Sequence, residues 1–159
     1  MNHQQFMRLP VAQRQAIMLT RNPVWKATNT SPIQADHQID LKLMALSAFD
    51  EIMHGKGIQE HVDMLATAAN TCLVLCEMGH GPECEHKAIE AQHGLLRMKS
   101  RQTRGLAIAF DGAGAQAMRD MLMTMDQQLE DAGKGDLAAA IVEVHTRTAQ
   151  GNVFRAGKV

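Results

Sequence analysis

From about residue 36 onward, apolar side chains recur every three to four positions, a period that lines them up on one side of an α-helix and not on a strand. The spacing predicts a helix from near Asp36 or Asp40 to His54, stopped by Gly55-Lys56-Gly57. A second runs over Ile58–Met78 and ends at Gly79 and Gly81, and a third opens at Pro82 and runs to Lys99. A loop rich in Gly, Arg and Ser leads to a fourth over Ala115–Ala132; Gly133-Lys134-Gly135-Asp136 then stops that helix and offers Asp136 as the cap of a fifth, Leu137–Thr148. Ahead of these, Pro10–Arg21 reads as a short helix with proline at its first turn, joined by the linker Thr28-Asn-Thr-Ser-Pro-Ile-Gln34. The expected fold is all-α, a compact bundle of about five to six short helices. Its expected organisation is a basic N-terminal helix and linker (1–35), a helical core domain (36–150) and a tail (151–159).

The helix ending at His54 carries two apolar stripes: Ile39, Leu43, Leu46 and Met53 on one side, Leu41, Ala45, Ala48 and Ile52 on the other, with Phe49 between. A helix apolar on two faces needs cover on both. Either the N-terminal helix folds back over it through Leu9, Ala12, Ala16 and Leu19, or a second copy pairs with it across a twofold axis where the small Ala45 and Ala48 permit close approach. The N-terminal helix has a poor stripe of its own, which favours the homodimer and makes Leu41, Ala45, Ala48 and Ile52 the expected partner-binding residues. The helix over Ile58–Met78 has a single stripe, running through Val62, Leu65, Ala69, Cys72, Leu73 and Cys76. Met118, Met121, Leu122, Met125 and Leu129 share the core face of the fourth core helix, which leaves Met123 as the methionine there available to a partner.

Composition agrees with helices, since aromatic and β-branched clusters are few and Tyr is absent. With 159 residues, 45% of them hydrophobic, the chain suits one core. No apolar run reaches the length of a membrane span and no signal-peptide pattern opens the chain, so the expected location is the cytoplasm, and the three cysteines are expected as free thiols. A net charge of −1 with a pI near 6.7 disfavours nucleic acid as a partner. Charge is nevertheless uneven: all 17 acidic residues lie from Asp36 onward, leaving residues 1–35 basic. A DNA-binding regulator would rely on that arm and on Arg97, Lys99, Arg101 and Arg104.

The stretch Cys72-Leu-Val-Leu-Cys76-Glu-Met-Gly-His80-Gly-Pro-Glu-Cys84 gathers every cysteine of the chain. Cys72, Cys76, His80 and Cys84 would be the ligands of a metal-binding protein, because a closed zinc site takes four N or S donors. Their spacing matches no common zinc motif, and the cysteines fall on apolar stripes where a buried thiol is ordinary core, so no metal or other cofactor is expected. Three Glu-x-x-His pairs, Glu51/His54, Glu83/His86 and Glu90/His93, imitate a di-iron pattern, but the latter two share a polar helix face with Arg97, directed away from the bundle. Gly112-Ala-Gly114 lacks the preceding strand of a phosphate loop, and no strained-turn nucleophile stands out, so an enzyme is not expected.

Through Arg21-Asn-Pro-Val-Trp-Lys-Ala-Thr28, Cys76-Glu-Met-Gly-His-Gly81 and Phe110-Asp-Gly-Ala-Gly-Ala-Gln-Ala-Met118, the chain resembles a loose group of short helical proteins carried by prophages and genomic islands of β-proteobacteria. That resemblance implies a mobile-element origin, and with it a protein that binds a host protein, as an inhibitor of host defence, or that regulates its own genes. Together with the missing catalytic constellation, it makes a non-enzymatic protein-interaction module with a host protein partner the expected function.

Overall fold

A computed structural model describes residues 8–11, 13–14, 32–33 and 35–152. They form an all-α bundle: α1 Ala35–Met53, α2 Gln59–Glu77, α3 Glu85–Gln102, α4 Gly112–Asp131 and α5 Lys134–Ala149, with a 3-10 turn, Pro82–Cys84, between α2 and α3. No strand occurs among the described residues; Pro32 and Gly133 make one isolated bridge. Most of the expected N-terminal helix, including Ala12, Ala16 and Leu19, and tail residues 153–159 lie outside the described residues.

The bundle is built around α2, which packs on all four other helices. Every residue from Ala68 to Cys76 is buried, so the half of α2 that was expected to show one apolar stripe is enclosed all round. Small side chains (Ala68, Ala69, Thr71, Cys72) let neighbours approach on every side. One buried polar pair crosses there, the Gln92 amide of α3 donating to Asn70 Oδ1 at 2.9 Å.

The loop after α3 ends in Asp111, which N-caps α4 by accepting from the Gly114 N–H at 2.6 Å; the helix therefore starts at Gly112, three residues ahead of the expected Ala115. α5 likewise starts at Lys134 with Gly133 as its cap, because Asp136 turns towards His80 instead of capping. α3 and α4 form the most extensive helix pair and touch backbone to backbone at Gly94 and Gly114. A Cβ placed on Gly94 would stand 3.0 Å from the Gly114 Cα, so even alanine would press on the backbone of α4.

One core cluster joins α1 to α4, with Ile33 reaching into it. A second, smaller cluster lies between α2 and α5, where Val74, Leu75, Ala140 and Val144 enclose Val11. Arg14 follows Val11 and pairs with the buried Glu143, which also accepts from Arg147 Nε at 2.9 Å; Arg147 forks onto Glu77 at 3.1 and 2.5 Å. Val11 and Arg14 thus dock on α2 and α5, while Ala12, Ala16 and Leu19, through which the fold-back alternative would cover α1, lie outside the described residues.

Candidate functional site

α1 uses one of its two stripes to hold the bundle and turns the other outward. Ala45, Ala48 and Ile52 are buried within the chain at 5%, 2% and 1% exposure, Phe49 joins them, and Leu41 packs against the same cluster. This corrects the expectation that Leu41, Ala45, Ala48 and Ile52 together form a partner face: α2 and α4 cover Ala48 and Ile52, Leu41 and Ala45 are left at the wall of a groove, and small alanines allow intramolecular helices to close on that face as readily as a second copy. The free face is the other one. Leu43, Met44, Leu46 and Met53 are 43–58% exposed, and Met123 on α4 is 70% exposed, as its off-stripe position implied. Leu43 lies near the middle of this face beside the polar Ser47 and Asp50, with Met44 on one flank and Leu46 and Met53 on the other, so large apolar side chains border a mixed face on both sides.

A groove runs along each flank of this ridge. Between α1 and α4 lies a cavity of about 420 Å³ with Leu46, Phe49, Leu122 and Met123 in its walls. Its charges are met inside the chain: Lys42 pairs with Asp126 and, at 3.7 Å, with Glu130, while the Arg119 guanidinium lies 5.5 Å from the centre of the Phe49 ring. The other flank, bounded by α1, α2 and α5, holds a cavity of about 400 Å³. These dimensions suit inserted side chains of a partner.

The cysteine-rich junction has a different organisation. Cys72 and Cys76 are buried one turn apart on α2, and the Cys72 thiol donates to Cys76. That hydrogen bond, reinforced by burial, pushes the Cys72 thiol up, and the same bond, with help from the Gln128 amide, holds Cys76 below the usual thiol range against the opposing effect of burial. Gln128 Nε2 reaches the Cys72 carbonyl (3.2 Å), Cys76 Sγ (3.1 Å) and the His80 carbonyl (2.8 Å), so its two hydrogens are shared among three acceptors and tie the end of α2 to α4. The His80 ring turns the other way, its Nε2 3.1 Å from Asp136 Oδ2. Cys84 is half-buried in the 3-10 turn and not on a core stripe, because the helix begins only at Glu85. Among the described residues no three His, Cys, Asp or Glu side chains converge as metal ligands. Cys72, Cys76 and His80 form a helix junction tied by Gln128 and Asp136, and Cys84 lies in the 3-10 turn beside it.

The hydrogen bond to Asp136, against some desolvation, raises the His80 pKa above the ordinary 6.5. A raised folded-state value means that the stabilisation is complete below about 6.5 and is lost as pH rises through the elevated value. The protein is expected to be less resistant to urea near pH 8 than near pH 6, and His80→Gln is expected to flatten that part of the profile. Urea melts of both proteins at the two pH values check this.

The basic run is less concentrated than its sequence suggests. Arg97 Nε donates to Asp111 Oδ2 at 2.8 Å, and Arg104 Nε donates to the Ser100 carbonyl at 3.2 Å. Lys99 is exposed and Arg101 half-buried, so two of the four residues direct their guanidinium groups to acceptors in the chain. Glu83, His86 and Glu90 are exposed; His86 Nδ1 meets the Glu83 carbonyl at 3.0 Å, and no Glu-x-x-His pair points into a shared interior site. No helix among the described residues is long and apolar enough to cross a membrane. No family model, curated protein or solved structure matches the chain.

Proposed function

We infer that this chain is a non-enzymatic protein-interaction module that engages its partner through the outer face of α1 together with Met123 of α4. One observation carries the reading: α1 spends Ala45, Ala48 and Ile52 on the bundle yet keeps Leu43, Met44, Leu46 and Met53 in solvent, beside Met123 and between two grooves. Folding has no need of those outward side chains, whereas covering each half-exposed one is worth on the order of 1 kcal/mol to a complex. Methionine adds adaptability, since its unbranched side chain repacks against irregular surfaces. The resemblance to prophage and genomic-island proteins supplies the class of partner, a host defence protein that the module binds and blocks in the cytoplasm. A homodimer formed through α1 would use Leu43 and Leu46, and competes for the same face.

Leu43→Glu with Leu46→Glu is expected to leave helicity and melting unchanged while reducing partner capture from a host lysate at least tenfold, because two apolar contacts of about 1 kcal/mol each become desolvated charges. Quantitative mass spectrometry of captured proteins reads the result, with Lys99→Glu and Ser100→Glu on exposed positions of α3, away from α1 and Met123, as the control pair. Equal capture by wild type and the leucine variant, or equal loss in the control, overturns the reading.

A further inference from the structure

The groove between α1, α2 and α5 differs from its neighbour in charge. Its walls are apolar and rich in methionine, with Leu41, Met44, Ala45, Met64, Met125 and Leu137 in the lining. Among the described residues its lining carries two ionised groups, Glu60 and Asp63, both exposed, and no lysine or arginine. Asp63 accepts from the neutral Gln59 amide at 2.8 Å, and no ion pair among the described residues includes either carboxylate. Glu60 suits the first turn of α2, where a negative charge complements the helix dipole, but Asp63 lies beyond that turn and gains little from it. In the α1–α4 groove, Lys42 meets acids of its own chain; here the acidic rim is left for something else to neutralise.

We propose that this groove docks a basic amphipathic helix of the partner protein. Apolar side chains at i, i+3 or i+4 and i+7 of that helix seat on the methionine-lined wall, and flanking Lys or Arg side chains meet Glu60 and Asp63. An acidic helix of the same apolar pattern is rejected, because its carboxylates would stand against two like charges at the rim. The inference rests on the interaction-module reading and adds to it the chemistry of the partner.

The probe is a synthetic helix of about 18 residues with leucine at helical spacing and lysine elsewhere, beside a second peptide with glutamate in place of lysine. The protein carries methyl-labelled methionine, so Met64 reports this groove, Met123 the opposite one, and the buried Met118 and Met121 the interior. The expected result is that the lysine peptide moves the Met44 and Met64 signals, that Glu60→Lys with Asp63→Lys weakens binding at least tenfold, that the milder Glu60→Gln with Asp63→Asn gives an intermediate loss, and that the glutamate peptide moves none of them. Tight binding of the glutamate peptide, undiminished binding to the charge-reversed protein, shifts confined to Met53 and Met123, no binding of the lysine peptide, or concentration-dependent Met64 shifts without peptide, the mark of a second copy in the groove, would each overturn the proposal. The interaction-module reading fails separately, through lysate capture that survives the Leu43 and Leu46 changes.

Discussion

Ala48→Glu is expected to unfold the protein. Ala48 is 2% exposed and faces the cluster formed by α1, α2 and α4, so a glutamate there must either bury an unpaired carboxylate, at several kcal/mol, or lift α1 from the bundle. Either cost is comparable with the whole stability of a small domain, about 5–15 kcal/mol. Circular dichroism of Ala48→Glu should show lost helicity, with Ser47→Glu on the adjacent exposed position folding normally. The contrast decides between two roles for α1. A dimer seam at Ala45 and Ala48 would leave a folded monomer after mutation; burial inside one chain leaves no folded species, and burial is what the bundle contains.

The second large effect is expected at Gly94. Its hydrogen occupies the place where α3 meets the backbone of α4, and an added Cβ would lie 3.0 Å from Gly114 Cα and 3.3 Å from the Gly114 carbonyl oxygen. Neither contact is with a flexible side-chain tip, so only separation of the two helices relieves it. Gly94→Val should cost about 3 kcal/mol or more, and Gly94→Ala should destabilise despite the roughly 1 kcal/mol that alanine contributes in helix propensity. Gly112, with nothing within 4 Å of a Cβ position, supplies the control: Gly112→Ala should be neutral or mildly stabilising. Thermal melts of the three variants separate a steric requirement at Gly94 from a general intolerance of substitution.

These two sites also show how far the residues alone lead. Apolar spacing and glycine stops locate all five described helices within a few residues, because periodicity and stop signals are local properties. Tertiary cover is not local. Leu43, Leu46 and Met53 are bulkier than Ala45 and Ala48, so hydropathy alone favours burying them; packing distance favours the alanines, and the alanines are inside. The same reason hides the central position of α2, whose enclosed half is made largely of small and mildly polar side chains. Gly94 reads as an ordinary, slightly unfavourable helical glycine until α4 is placed beside it. Gln128 reads as surface, since nothing near it in sequence announces acceptors on α2 and in the turn after it, 48 to 56 residues away. Met123 was legible because it departs from the stripe of its own helix, and Cys72 and Cys76 because they do not depart from theirs.

The outer face of α1 is tested most directly by placing a photoreactive phenylalanine analogue at Leu46, in cells of the proposed host, and comparing the adducts with those formed from Ser100 on the exposed side of α3. One discrete protein adduct is expected from position 46, absent from position 100 and lost when Leu43→Glu is added. A ladder of adducts common to both positions, or no adduct from position 46 in a folded protein, would contradict the claim that the outer face of α1 is a binding surface.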